Sequence, residues 1–327
     1  MSLDPRLTRA FEAENGFPLE PHLVVLALMG SHSHGTYIPP DDPHGLDDVD
    51  LMGFVVPPLD YHLGLPRWEH WSLQFEELDV VLYSLEKAFR LLLKCNPNIV
   101  GVLWLGDDHY VVRHPLFERL RSARGLFASR LAADVFGGYA FSQLKKMEAF
   151  DLARMEEYER LTAAIEALGK PDEVLKADAQ GLKRLAIDWG ESPETLARFC
   201  KLHREHFSGY MGAKRKAMVR RYGFDTKNAA HLVRLLRMGL EFLETGCLQV
   251  FRTADAEELK SIKRGEWKLD QIKAEAARLF DRLEAVKAAS PLPEVPDEAA
   301  VSRLLVELQA AMLGLLPGYG QADALGR

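Results

Sequence analysis

Three observations predict a mixed α/β domain to about residue 125 followed by an α-helical domain. Short runs rich in leucine and β-branched residues occur at 22–28 (HLVVLAL), 49–56 (VDLMGFVV) and 78–83 (LDVVLY), the composition of buried strands. At Leu85 the period changes, with Leu85, Ala88, Phe89, Leu92 and Leu93 on one helix face until Asn96-Pro97 stops it. Beyond about residue 110 the pattern is nearly all helical. Strands first and helices afterwards make this layout the economical one.

The elements follow in order. The first strand ends at Gly30, and proline-rich loops at Pro39-Pro40 and Pro57-Pro58 flank the second. Residues 141–168 read as one long amphipathic helix before Gly169-Lys170-Pro171, and 228–246 as another that ends at Gly246. A helix end lies at 259–265, a further helix follows Trp267, and 290–297 (SPLPEVPD) reads as a linker to a last helix. The expected division is therefore 1–125, 126–289 and 290–327.

Composition narrows the function classes. The chain has 327 residues, 47% hydrophobic and 27% charged, an ordinary globular balance with room for two cores. It shows no run of membrane-span length, and residues 1–16 lack a basic flank before an apolar core, so the expected place is the cytoplasm, with no membrane partner. Cys95, Cys200 and Cys247 are far apart and form no CxxC, which argues against a disulfide framework and a thiolate zinc site. The net charge of −7 sits in residues 1–130, with 11 Lys+Arg against 18 Asp+Glu, whereas residues 201–237 carry ten basic residues against Glu205 and Asp225. An acidic site beside a basic segment suits metal ions with a polyphosphate or nucleic acid; a solvated helix face is the plainer account.

The chemistry concentrates in residues 28–56. On a strand, residues i and i+2 share a face, so Asp48 and Asp50 project side by side while Val49 and Leu51 turn away. Two adjacent carboxylates repel, and a shared hard cation such as Mg²⁺ relieves the repulsion. Asp79 opens the next apolar run. Three carboxylates on neighbouring strands can hold two ions about 3.5–4 Å apart, the arrangement of in-line displacement at phosphorus. The turn at Gly30-Ser31 supplies the complement: glycine permits close approach, a following helix aims N–H groups at phosphate, and Ser31 adds a hydroxyl.

This order of strand, Gly-Ser, Asp-x-Asp strand and later Asp-bearing strand resembles the DNA polymerase β superfamily of nucleotidyltransferases, and within it the RNA-ligase-associated (RlaP-like) family. GSHSHGT and DDVDLMGF resemble the two motifs. SLEKAFRLLLKCNPNIVGVLW, FGGYAFSQLKKME, YGFDTKNAAHLVRLLRMGLEFLETG and ELKSIKRGEW resemble downstream blocks, so the likeness spans most of 22–275. The resemblance implies a nucleotidyltransferase-type domain with a small mixed sheet. It also implies transfer of a nucleoside monophosphate from a nucleoside triphosphate to an acceptor hydroxyl, with release of pyrophosphate. Gly30 and Ser31 would hold the triphosphate, and Asp48, Asp50 and Asp79 would bind Mg²⁺ or Mn²⁺, as two ions. Asp79 would also help activate the acceptor, with Glu76 and Glu77 as neighbouring alternatives. An RNA end is the implied acceptor and an RNA-repair ligase the implied partner. Two departures are the long loop from His32 to Asp47 and Asp47 itself, where serine commonly stands; His34 replaces an aromatic or small residue.

Other residues carry weaker signals. His32 is read as a phosphate or base contact, and His32, His34 and His44 together as the alternative of an imidazole metal site. Lys227, His231 and Arg234 fall at i, i+4 and i+7 on one helix face, with Lys214 and Arg215 as further cations for the triphosphate or acceptor. The plain alternative is a solvated face with Asp225 as helix cap. Tyr210 and Tyr222 interleave with the basic residues, a pattern that suits stacking on single-stranded RNA. Two other function classes remain: a catalytically silent nucleotide- or RNA-binding module, and a sugar-nucleotide glycosyltransferase whose DxD holds a metal.

Overall fold

Asp4 and Pro5 start the first helix: the Asp4 carboxylate accepts from the backbone N–H of Arg6, and proline occupies the first turn, where its missing donor costs nothing. The computed structural model describes residues 3–39, 41–42, 44–45, 48–75, 78–149, 152–168, 171–207 and 213–316. Its order begins α1 (Pro5–Asn15), β1 (Leu23–Leu28), α2 (Gly30–Ser33), β2 (Val49–Val55), α3 (Asp60–Leu63), β3 (His70–Phe75), β4 (Leu78–Ser84), α4 (Leu85–Leu93), β5 (Tyr110–Arg113) and α5 (Pro115–Ser122). Helices then continue as α6 (Leu131–Ala149), α7 (Leu152–Ala167), α8 (Pro171–Lys176), α9 (Ala179–Trp189), α10 (Pro193–Phe207) and α11 (Ala213–Tyr222). The last are α12 (Thr226–Thr245), α13 (Ala256–Lys263), α14 (Leu269–Ala289) and α15 (Glu298–Met312).

The strands form one mixed sheet of order β3-β4-β2-β1-β5, in which β2 and β4 are parallel and the other neighbours antiparallel. Alternation along the strands assigns the two faces. Leu26, Leu51, Val55, Val80 and Leu82 pack with Leu7 and Phe11 of α1 and with Trp71. The Phe11 ring meets Phe17 and Trp71 edge-on at 5.1 and 5.3 Å, the favoured aromatic geometry. On the opposite face Val25, Ala27 and Phe54 are buried. The helices beyond the sheet include α4, which contacts β2 and β4, and α5, which contacts β1; α15 packs on both. Asp50 and Asp79 are half-buried near the starts of β2 and β4.

The chain divides into two compact units: Met1–Ala140, Val233–Ser261 and Ala274–Arg327 form the first, and Phe141–Leu232 with Ile262–Lys273 the second. Residues 233–261 and the helices from 274 onward, placed beyond residue 125 by sequence pattern, thus fold with the sheet. The second unit has its own core of Tyr158, Leu161 and Ile165 from α7 against Leu196, Phe199 and Leu202 from α10. The helix expected over 141–168 begins earlier, at Leu131, and is helical in its described residues as α6 to Ala149 and α7 from Leu152; residues 150–151 lie outside the described residues. Gly137-Gly138 lowers the intrinsic helix preference there, but tertiary packing compensates: Phe136 and Ala140 are fully buried and Gly137 faces Leu283. Among the described residues no helix is long and apolar enough to cross a membrane.

Candidate active site

The end of β1 brings the Gly-Ser turn against the acidic strand. Met29 donates its N–H to the Asp50 carbonyl at 2.8 Å, which sets Gly30 beside Asp50. Gly30 has φ +58°, and a Cβ at this position would fall on the Asp50 carboxylate. Glycine is required twice over, by conformation and by contact. Gly30→Ala is expected to cost about 1–2 kcal/mol from the backbone alone and to displace Asp50. A thermal melt combined with triphosphate titration checks this: unchanged affinity would show that Asp50 can move without consequence.

Beyond Gly30 the chain makes a single helical turn. The Ser33 hydroxyl donates to the Gly30 carbonyl at 3.0 Å, and the Thr36 N–H to the Ser31 carbonyl at 2.9 Å. Ser33 and Thr36 are buried, so the turn is anchored from below. One turn sums few peptide dipoles, and anion binding here falls to individual groups. The Ser31 hydroxyl oxygen is buried and, among the described residues, has no hydrogen-bond partner. Leaving a buried hydroxyl unpaired costs about 1–3 kcal/mol, a cost that an arriving phosphate oxygen would remove.

The carboxylates come from adjacent strands. In the parallel pairing of β2 with β4, Asp50 stands directly opposite Asp79, across an interstrand spacing of about 4.7–4.9 Å. Asp48 lies two residues before Asp50, and all three are half-buried. Gln74 of β3 continues the row opposite Asp79. These hard oxygen donors suit a magnesium-like cation in kind. Their side chains are not drawn into one cage: among the described residues, no three His, Cys, Asp or Glu groups are close enough to hold a metal. Glu76, Glu77 and Asp47 lie outside the described residues.

The histidines do different work from a shared metal site. His32 stacks on Tyr37 at 3.9 Å, and His44 lies 3.1 Å from Asp42. His34 Nδ1 donates to the Val250 carbonyl at 3.1 Å, while the Arg252 N–H donates to the His34 carbonyl at the same distance. Residues 250–252 therefore strap the Gly-Ser turn from a segment about 216 positions away in sequence. This strap was not legible in the sequence.

Arg252 anchors the strap. Only 4% of its side chain is exposed, and it donates to Glu241 at 2.7 Å and to Asp255 at 2.8 Å. Asp255 also receives Arg237, which bonds Glu258 and Glu275. Burial works against the Arg252 charge, but the Glu241 and Asp255 carboxylates outweigh it and hold the guanidinium above its ordinary range. Arg234, near this network, is differently placed. It donates to the Met238 sulfur at 3.1 Å. Burial first, and the charge of Arg252 second, pull it down to about 9, with Asp255 opposing.

The remaining cationic candidates lie in the second unit. Arg215 donates to Asp225 at 2.5 Å and to Asn228 at 3.2 Å. Asp225 also accepts the Asn228 N–H at 3.0 Å, which makes it the cap of α12. Arg215 is thus engaged in holding a helix start. Lys227 and His231 are half-buried on the second-unit part of α12. The side chain of Lys214 and all of Tyr210 lie outside the described residues. Arg220 pairs with Glu159 and Arg237 with three acids, so residues 201–237 are not a uniform cationic surface.

With this geometry in place, residues 7–165 match the RNA repair pathway DNA polymerase beta family, RlaP. This segment, somewhat under half of the chain, is similar to that family. The RlaP segment contains the Gly-Ser turn and all three aspartates, and it ends short of the expected span to 275. The likeness is thus to an RNA repair family of the DNA polymerase beta type, over the part of the chain that bears the sheet. A nucleotidyltransferase-like protein from Exiguobacterium sibiricum 255-15 is similar at 12% identity over 86% of this chain and 88% of that one, with a TM-score of 0.24. At that score the fold assignment rests on the strand order and the RlaP match. Among curated proteins none matches the chain.

Proposed function

We propose that the protein transfers a nucleoside monophosphate from a nucleoside triphosphate to an acceptor hydroxyl. The observation that carries this reading is the Asp50–Asp79 register beside a glycine that only the absence of a Cβ allows to touch Asp50. Gly30 and Ser31, with His32, receive the triphosphate, and Arg234 offers a guanidinium held in a low-dielectric setting, where pairing with an anion is most favourable. The acceptor oxygen attacks the α-phosphorus, its proton passes to Asp79, and the bond to the β-phosphate breaks with pyrophosphate leaving. Asp48, Asp50 and Asp79 would hold Mg²⁺ or Mn²⁺, which supplies charge neutralisation on the phosphates. Otherwise the side chains act by positioning, as expected where there is little covalent work for a protein to do. The RlaP description favours an RNA end as acceptor. The same match disfavours sugar-nucleotide chemistry.

The experiment is transfer of an α-phosphate label from each nucleoside triphosphate, with Mg²⁺ or Mn²⁺, to total RNA and protein. Nuclease and protease sensitivity then name the acceptor class. Triphosphate binding that is indifferent to metal, with no pyrophosphate formed, would instead identify a silent binding module. Ser31→Ala should raise KM about 10- to 100-fold, the value of a hydrogen bond to a charged group, while kcat stays within a few-fold. An unchanged KM would remove Ser31 from the phosphate site.

A further inference from the structure

One groove lies wholly in the second unit. It encloses about 350 Å³ and is lined by Arg221, Tyr222, Gly265, Trp267 and Lys268, with Phe224 and other apolar groups beneath. Its formation follows from the sequence Lys263-Arg264-Gly265-Glu266-Trp267. Gly265 has φ +76°, and a Cβ there would collide with the Tyr222 ring, so the ring of α11 packs against the turn that leads to Trp267. The Arg221 guanidinium sits over the Tyr222 ring, 5.2 Å from its centroid. Among the described residues, no carboxylate lines the groove. Among the described residues, neither Arg221 nor the Lys268 ammonium has a carboxylate partner, although Arg215 and Arg220 on the same helix do. Trp267 is half-buried, and none of the described rings pairs with it.

We infer that this groove is a subsite for single-stranded RNA, one base stacking on Trp267 while Arg221 and Lys268 take the flanking phosphates. Two cations without carboxylate partners and an indole lining one groove match a base between two phosphates in charge and in kind. Stacking accepts any base, and the cations supply affinity without sequence readout. The volume lies within the range of about 300–1,000 Å³ typical of small-ligand sites. In naming the strand as acceptor, the inference rests on the proposed nucleotidyl transfer; binding itself does not.

The test is fluorescence anisotropy of a labelled short RNA oligonucleotide of mixed sequence with the full chain, over a salt series. Trp267→Ala should weaken binding roughly 5- to 150-fold, the usual range for one lost stacking partner, and Trp267→Phe should keep most of it. Lys268→Glu with Arg221→Glu should weaken binding and flatten the log–log salt slope by about 1.4, as expected for two phosphate contacts on a single strand. Melting curves establish that each variant is folded. Equal binding by folded Trp267→Ala and parent would overturn the inference. So would a Trp267-dependent site that takes free nucleoside monophosphate as well as it takes the strand, or one that takes an acidic peptide instead. Asp50→Asn should leave oligonucleotide binding unchanged. Absence of transfer by the parent protein, with this binding intact, would count against the transfer reading alone.

Discussion

Asp50→Asn is expected to lower nucleotidyl transfer by about 10²–10³-fold, the scale on which one preorganised electrostatic group acts, without lowering thermal stability. Asparagine keeps the shape that fits against Gly30 and removes only the charge. Asp50 faces Asp79 across neighbouring parallel strands, and like charges so placed weaken the native state. The melting temperature should therefore hold or rise as activity disappears. Asp79→Asn should behave in the same way, because the register makes the two positions equivalent in their mutual repulsion. The exposed Asp60→Asn serves as a control that changes net charge by the same amount. Activity measured beside a melting curve separates the outcomes. Transfer that survives both substitutions would remove the acidic pair from catalysis, and a parallel fall in stability would assign the aspartates a structural part.

The legible portion of this chain was the portion written in local pattern. The runs at 22–28, 49–56 and 78–83 became β1, β2 and β4 because period-two alternation and turn residues act within a few positions. Gly30, Ser31, Asp48 and Asp50 were readable for the same reason, and the register then set Asp79 opposite Asp50. The alternation of His70 to Phe75 and the Asp4-Pro5 start of α1 are local signals of the same kind. Tyr110–Arg113 is a four-residue strand at the sheet edge, too short to state a period. The strap could not be read at all. Nothing in Leu248–Arg252 announces that Val250 will accept from His34, since that pairing depends on α12 returning the chain to the sheet. Charge was misleading for a related reason. The ten basic residues of 201–237 suggested a surface, but Arg215, Arg220 and Arg237 are consumed by acids that only the fold brings near.

Arg252→Met should destabilise the first unit by about 3 kcal/mol, the lower end of the cost of breaking a buried ion pair. The lower end applies because Asp255 keeps Arg237 at 3.0 Å, while Glu241 loses its partner. Adding Glu241→Leu should recover part of the loss, since an apolar pair needs no compensation for desolvated charge. The cost should also depend on pH with a definite sign. Burial alone would raise the Asp255 pKa, but hydrogen bonds and charge from Arg252 and then Arg237 outweigh it, and the net shift is downward. A carboxylate depressed in the folded state contributes stability above its unfolded pKa of about 3.9, and that contribution is lost as pH falls through the lower folded value. The gap between parent and Arg252→Met in urea unfolding should thus be full near neutrality and narrow below about pH 4. A gap that stays constant into acid would mean that the methionine disturbs packing and that the ion pairs contribute little. The same variant tests the path to the active site. Arg252 fixes the backbone whose N–H holds the His34 carbonyl and whose neighbour accepts from the His34 ring. Triphosphate affinity should therefore fall in the folded variant at neutral pH, and the double substitution that recovers stability should recover affinity with it.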